Sequence, residues 1–198
     1  MLVSLSLATA GLWIAAAVQD LRDREVSLFV LAALTLLALD GHSWPWWVLA
    51  AAALLWPASG RPQALTLAPI AVAVGVVTSE MAPAVALAGG IVSWGLGWWG
   101  GADGIILFAL ALRYGLPGLF AGVIVSGVAA VGLMALRRQS AWRVVAAAST
   151  ALALGRPPER AEDLDAEIPA VSELPAAATL GAAGLFMEVI RSCQMRIG

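Results

Sequence analysis

The chain has 198 residues, of which 61% are hydrophobic and 12% are charged, and its mean hydropathy is +0.90. Soluble domains carry roughly 45–50% apolar and about 25% charged residues, so this composition excludes a water-soluble domain and also a disordered chain. The net charge of −2 does not indicate nucleic-acid binding, and a single cysteine excludes a disulfide framework or a four-thiolate zinc site.

Eight apolar stretches follow one another along the chain and predict an all-α, polytopic helical membrane protein. They are Leu2–Val18, Val26–Leu39, Trp44–Trp56, Leu65–Thr78, Pro83–Trp99, Gly104–Leu116, Pro117–Leu136 and Leu174–Ile190. A helix needs about 20 apolar residues to cross the hydrocarbon core, and several of these stretches are shorter. We therefore expect six to eight transmembrane helices in a single domain over residues 1–198, with some stretches short, tilted or paired as half-helices.

The distribution of arginine predicts the orientation of the chain in the membrane. Arginine is concentrated in alternate loops, which places the N-terminus outside and the polar segment 137–173 in the cytoplasm. Within that segment Val144–Gly155 is apolar but short and is bracketed by arginine, which favours a helix on the membrane surface. The expected location is therefore the inner, cytoplasmic membrane, as a multi-pass protein.

Charged residues in or beside apolar stretches are candidates for function because they are costly to bury in lipid. Asp40, His42 and Glu80 fall in predicted outer loops, where solvation is the simplest interpretation. Arg113 and Glu188 each interrupt an apolar stretch and are either functional or close to an outer boundary. The sequence has no group of His, Cys and carboxylate residues at metal-ligand spacing, so we expect no metal or cofactor.

Two aspartates differ from the other acidic residues in their setting. Asp20 ends the first stretch, and Asp103 follows the glycine-rich turn at 98–102. Four intervening spans would return both residues to the cytoplasmic side, where they can meet. The alternatives are structural: Asp20 begins a solvated charge run, or Asp103 is the N-cap of a helix that starts at Gly104.

A pair of close carboxylates has a defined chemical use. The two groups do not both ionise easily, so they share a proton near neutral pH, and one acts as base while the other acts as acid. Gly100 and Gly101 permit a tight turn and the approach of a substrate strand, while Ala102 tolerates ordinary backbone angles. Irregular backbone at membrane depth requires a water-filled cavity, so we expect an aqueous cleft on the cytoplasmic side at Asp103.

The residues around both aspartates resemble the motifs of a known family. The segment Asp20–Ser27, DLRDREVS, looks like the Asp-Leu-Arg-x-Arg-x-Ile-Pro segment of the type IV prepilin peptidases. The segment Gly100–Asp103, GGAD, resembles their second motif, Gly-x-Gly-Asp. The segment Glu173–Ala178 is similar to the start of their last helix. The resemblance extends from about residue 5 to 190, and its specific content is the first two motifs.

Five features differ from the family pattern or from that of its larger members. Ser27 replaces the usual proline, and Ala102 replaces the second glycine, as in the archaeal preflagellin-peptidase-like branch. Residues 104–106 are Gly-Ile-Ile where many bacterial members have a lysine. The two aspartates are 83 positions apart, which leaves room for one extra helix pair. Cys193 is the one cysteine, so the paired CxxC motifs of the larger bacterial enzymes are missing, and we predict peptidase activity without their extra domain.

The resemblance implies a membrane aspartic endopeptidase in which Asp20 and Asp103 activate water. Gly100, Gly101 and Ala102 would support the backbone, and no metal or cofactor would be used. The implied partners are the lipid bilayer and a type IV pilin-like precursor, whose basic N-terminal leader is cut at the cytoplasmic face. Six carboxylates in 159–173 would attract such a leader, or form a solvated loop.

Two other functions remain open from the sequence. One is a catalytically inactive membrane scaffold or assembly factor of the same fold, suggested by the substitutions after Asp103. The other is a small proton-coupled transporter with intramembrane carboxylates, although the sequence has no inverted repeat of the kind found in many transporters.

Overall fold

The computed structural model describes residues 2–23, 25–59, 65–95, 100–136 and 176–197. These residues form helices and contain no strand, which confirms the all-α prediction. In chain order the helices are α1 (Leu2–Asp23), α2 (Leu28–Ala38), α3 (Trp44–Ser59), α4 (Leu67–Thr78), α5 (Met81–Gly95), α6 (Gly101–Leu136) and α7 (Ala176–Ile197).

Each of the eight predicted apolar stretches overlaps one of the described helices. The polar residues between them end and begin the helices through local hydrogen bonds. Ser27 is the N-cap of α2, where its side chain accepts the backbone N–H of Val30 at 3.4 Å. Ser79 ends α4 in the left-handed conformation at φ 60°, and the N–H of Glu80 is donated to the carbonyl of Gly75.

The chain reverses direction inside α6. Gly115 has φ 63° and ψ −144°, a conformation outside the helical region that favours glycine, and Pro117 follows it. A Cβ at Gly122 would lie 2.9 Å from the side chain of Leu107, which would be about 22 Å away along a straight helix. The two arms of α6, 101–114 and 116–136, therefore pack antiparallel, as the separate stretches Gly104–Leu116 and Pro117–Leu136 predicted.

One described segment, Gly101–Ala129, is long and apolar enough to span a membrane, with a mean hydropathy of 1.7. This segment includes the reversal at Gly115, so its length is divided between the two arms. The remaining apolar helices α2 to α5 are shorter. The number of membrane crossings and their orientation stay predictions, and the predicted surface helix Val144–Gly155 and acidic segment 159–173 lie outside the described residues.

The first arm of α6 lies at the centre of the helix bundle. Its residues from Gly104 to Leu112 are all buried. The largest fully buried side chains of the described residues are Trp13, Trp46, Trp56 and Phe108, and Phe108 lies on this arm. The outer faces carry many exposed large apolar side chains; on the second arm these are Leu116, Phe120, Val123, Ile124, Val128 and Val131. Continuous apolar surface of this kind requires cover by lipid or protein.

Helix α7 packs against α1 and against both arms of α6. Two glycines let it approach α1 closely: a Cβ at Gly181 would lie 2.8 Å from the carbonyl oxygen of Trp13, and one at Gly184 would lie 2.3 Å from the Trp13 ring. A Cβ at Gly181 would also lie 3.1 Å from the Cβ of Ala17. Because α1 and α7 run antiparallel, the end of α1 lies beside the start of α7.

Candidate active site

Asp20 lies at the end of α1 and is buried, with 7% of its surface exposed. Its Oδ2 accepts the backbone N–H of Ala178, in the first turn of α7, at 2.8 Å. The carboxylate therefore satisfies one of the N–H groups that a helix leaves unpaired at its start. Asp20 is thus part of a buried contact between α1 and α7, and is not the beginning of a solvated charge run.

Asp103 lies in the first turn of α6, which begins at Gly101. Its Oδ2 accepts the backbone N–H of Gly100 at 2.9 Å, and the carboxylate also receives a hydrogen bond from the backbone N–H of Ala177. The alternative in which Asp103 is the N-cap of a helix starting at Gly104 is wrong, because the helix starts three residues earlier. Asp103 occupies the third helical position, from which a carboxylate reaches back to the preceding turn.

The structure brings Asp20 and Asp103 together at the start of α7. They accept hydrogen bonds from the successive residues Ala178 and Ala177, and the charge of Asp20 acts on Asp103. The next residue, Thr179, forms a side-chain hydrogen bond of 2.9 Å with Ser126 on the second arm of α6. Three consecutive residues of α7 are therefore held by α1 and by both arms of α6.

The charge balance of this cluster is uneven. Within the described residues, neither Asp20 nor Asp103 forms an ion pair, and the nearby Arg22 lies 3.6 Å from the exposed Asp23 instead. The partners of the two carboxylates are backbone N–H groups at a helix N-terminus, which carries a partial positive charge. Such partners compensate the negative charges of the two carboxylates only in part, because a helix N-terminus carries about half an elementary charge.

Close packing of glycines positions the start of α6. A Cβ at Gly90 on α5 would lie 2.8 Å from the Cα of Gly104, and a Cβ at Gly104 would lie 3.0 Å from the Trp56 ring. Trp56 in turn stacks on Trp94, with ring centroids 6.3 Å apart. Because Gly104 follows Asp103 directly, these contacts with α3 and α5 determine the position of Asp103 along the axis of α6.

The glycine motif has a different role from the tight turn predicted for it. Gly101 begins α6, and neither it nor Gly100 has a positive φ. A Cβ at Gly100 would lie 3.2 Å from Oδ2 of Asp103, so the absence of a side chain lets the carboxylate reach the Gly100 N–H. Ala102 packs partly buried against the core. The motif therefore serves the hydrogen bonding of Asp103.

Two residues interpreted as solvated from the sequence are in contact instead. Nδ1 of His42 is hydrogen-bonded to Oε2 of Glu80, and Nε2 of His42 is hydrogen-bonded to the carbonyl of Leu112 at 2.9 Å. Their side chains are only 17% and 32% exposed. The interpretation was wrong because the loop before α3 lies against Leu112, at the end of the first arm of α6, and the loop between α4 and α5 lies against the loop before α3. Asp40 is exposed, as expected.

Arg113 and Glu188 form a buried ion pair at this same end of the bundle. Nε of Arg113 lies 3.5 Å from Oε1 of Glu188, and the side chains are 8% and 3% exposed. The hydroxyl of Tyr114 donates to the same Oε1 at 2.8 Å, and Arg113 also donates to the carbonyl of Leu37 on α2 at 3.2 Å. Sequence reasoning considered Arg113 and Glu188 separately and did not pair them.

The amide donors Ala177 and Ala178 were also missed by sequence reasoning. The signal available was the segment Glu173–Ala178, whose proline and small residues indicated the start of a helix. That pattern does not specify what the first N–H groups bind. Among the described residues, no group of three His, Cys, Asp or Glu side chains is placed to hold a metal ion.

Comparison with known proteins finds no match: no family model, curated protein or solved structure is significantly similar to this chain.

Proposed function

We propose that the chain is a membrane aspartic endopeptidase that removes the basic leader of type IV pilin-like precursors at the cytoplasmic face. The observation that carries this proposal is the convergence of Asp20 and Asp103, 83 positions apart, on the successive N–H groups of Ala178 and Ala177. Both residues belong to the motifs, DLRDREVS and GGAD, that resemble those of type IV prepilin peptidases.

The chemistry follows from the partners of the two carboxylates. In the singly protonated pair, the ionised carboxylate takes a proton from water as the hydroxyl attacks the scissile carbonyl carbon. The protonated carboxyl donates to the carbonyl oxygen, and a proton then passes to the leaving amine as the C–N bond breaks. The net change is the addition of one water across the peptide bond, and the N-terminus of α7 stabilises the remaining negative charge.

Asp103 is the carboxylate closer to the surface. It is partly exposed and lies beside the exposed Gly100, whereas Asp20 is buried beneath α7. A substrate strand that approaches past the exposed Gly100 would meet Asp103 first. This placement agrees with cleavage at a membrane boundary, because the adjacent residues 104–112 are buried and apolar.

Membrane residence is supported by the surface of the helices. Large apolar side chains are exposed along the described helices, and the segment Gly101–Ala129, which forms most of the two arms of α6, has a mean hydropathy of 1.7. The arginine distribution favours an orientation in which the end of the bundle that contains Asp20 and Asp103 faces the cytoplasm. A multi-pass arrangement in the inner membrane is part of this proposal.

A purely structural role for the two aspartates is the main competing explanation. Both carboxylates cap α7 from other helices, and buried caps are useful without chemistry. Asparagine separates the two roles, since its side-chain oxygen accepts the same hydrogen bond but does not exchange a proton in this range.

The test is cleavage of a synthetic precursor peptide, with a basic leader before an apolar helix, by the purified full chain in lipid nanodiscs. We expect Asp20→Asn and Asp103→Asn each to reduce cleavage by at least about 10³-fold while thermal unfolding changes little. Asp23→Asn is the matched control, because Asp23 is exposed and lies at the same end of α1, and it should cleave normally.

Three outcomes would contradict the proposal. Unchanged cleavage in both asparagine variants would remove the aspartates from the mechanism. No cleavage by the unaltered chain with any leader peptide would favour the inactive scaffold. Proton-coupled flux in liposomes that is lost in the asparagine variants, without proteolysis, would favour the transporter.

A further inference from the structure

The first arm of α6 and helix α7 run parallel and are joined at two levels. At one level, Asp103 accepts the N–H of Ala177. At the other, Tyr114 donates to Glu188 at 2.8 Å. Asp103 and Tyr114 are eleven residues apart on α6, and Ala177 and Glu188 are eleven residues apart on α7. Each interval is about 16 Å of helix, so the two helices are in axial register.

Matching intervals make the two levels mechanically dependent. A continuous helix transmits an axial shift along its length, so a slide of α7 by one residue moves both levels by about 1.5 Å. The hydrogen bond between Ala178 and Asp20 is 2.8 Å long, and a shift of that size would bring it beyond the hydrogen-bonding range. The position of the amide donors is therefore fixed by whatever holds the far end of α7.

The ion pair at the far end is suited to this purpose. Arg113 and Glu188 are almost fully buried, and a buried ion pair usually adds little net stability because both charges lose their hydration. Its best-attested use is to specify one packing register, since any other register leaves a buried charge without its partner. Arg113 is additionally held by the carbonyl of Leu37, which ties the pair to α2.

We propose that Arg113, Tyr114 and Glu188 are positioning residues that set the axial register of α7, so that the N–H groups of Ala177 and Ala178 reach Asp103 and Asp20. The register is a property of the fold. Its consequence for catalysis rests on the proposed endopeptidase activity. The three residues touch neither aspartate and act through the length of α7.

Hydrogen exchange at single-residue resolution on the full chain in lipid nanodiscs tests the register without requiring any activity. The variants are Glu188→Gln, which removes the charge, and the double variant Arg113→Met with Glu188→Leu, which replaces the pair by apolar side chains. We expect the amides of Ala177 and Ala178 to exchange about tenfold faster in both variants, while amides in α3 keep their rates. A general loss of stability would instead accelerate exchange throughout the chain.

Two further variants keep the test decisive. His42→Gln disturbs the same end of the bundle through Leu112. Among the described side chains His42 is not hydrogen-bonded to α7, so exchange at Ala177 and Ala178 should not change. Tyr114→Phe removes one hydrogen bond and leaves the charges paired. Because the ion pair is kept, Tyr114→Phe should fold even where the charge variants fail to fold. We expect it to raise the exchange rates of the Ala177 and Ala178 amides about threefold.

The result that overturns the proposal is unchanged exchange at Ala177 and Ala178 in the double variant or, should that variant not fold, in Tyr114→Phe. An equal effect of His42→Gln would also overturn it, because the effect would then be general loosening. Where the unaltered chain cleaves the leader peptide, kcat should fall about tenfold in Glu188→Gln with KM unchanged. If it does not cleave, the proposed function fails while the exchange rates still decide the register.

Discussion

The two ends of the first arm of α6 hold buried carboxylates in opposite ways. At the Asp103 end, two carboxylates share the N–H groups of successive residues, and within the described chain no cation pairs with either. At the Gly115 end, Glu188 faces Arg113 and accepts from Tyr114. Both ends therefore bury carboxylates, but only one of them compensates the charge with an opposite charge.

This difference indicates a division between chemistry and stability. A buried carboxylate paired with an arginine serves packing and register, because any other arrangement leaves a buried charge without its partner. Two carboxylates with backbone partners and no paired cation among the described residues are the arrangement that the proposed acid–base chemistry requires. Substitutions at the two ends should therefore separate loss of stability from loss of activity.

The largest effect on stability is expected from Glu188→Ala. It leaves Arg113 as an uncompensated buried charge, which costs about 3–5 kcal/mol. The measurement is chemical unfolding of the purified protein in detergent micelles. Arg22→Ala breaks an exposed ion pair as a control and should cost less than about 1 kcal/mol. Equal losses in the two variants would show that the compensated end has no special role in stability.

A smaller effect is expected from Gly90→Ala at the aspartate end. The added Cβ would meet the backbone of Gly104 at 2.8 Å, and such overpacking costs about 1–3 kcal/mol. Because Gly104 follows Asp103, Gly90→Ala should also displace the aspartate. The rate of leader-peptide cleavage should therefore fall even under conditions in which the variant remains folded. Gly89→Ala is the matched control: its Cβ meets nothing within 4 Å, and it should be neutral or more stable by up to about 1 kcal/mol. Similar behaviour of both variants would contradict the close contact of α5 with α6.

The smallest effect on stability is expected at Asp20. Asp20→Ala removes a helix cap and should cost about 1 kcal/mol, whereas Asp20→Asn keeps the acceptor for Ala178 and should cost less. Both should lose cleavage equally. Thermal unfolding and peptide cleavage on the same two samples give the comparison. If Asp20→Asn were as unstable as Asp20→Ala while still cleaving, the roles assigned to this end would be reversed.

Much of the fold could be predicted from the sequence because local composition determines it. The apolar stretches gave the helices, and the division at residues 116 and 117 agreed with the reversal at Gly115. The convergence of Asp20 and Asp103 was also predictable, since both lie at ends of apolar stretches separated by an even number of spans. Their catalytic role stays a prediction.

The contacts that were not predicted all join distant parts of the chain. Arg113 and Glu188 are 75 positions apart, and hydropathy places each in its own stretch without relating one to the other. His42 and Glu80 are in different loops, and only the folding of both onto Leu112 brings them together. The helical period gives the face of a helix, but the axial register between helices depends on packing that no single segment encodes.

The capping of α7 by other helices also determines when the aspartate cluster can form during synthesis. The N–H groups of Ala177 and Ala178 are made 74 residues after Asp103, which corresponds to about 4–15 s of translation at common rates. Until then, Asp20 and Asp103 lack these partners, and the cluster is incomplete. If the chain has the proposed endopeptidase activity, a nascent chain that has not yet produced α7 should not cleave, because its cluster is incomplete.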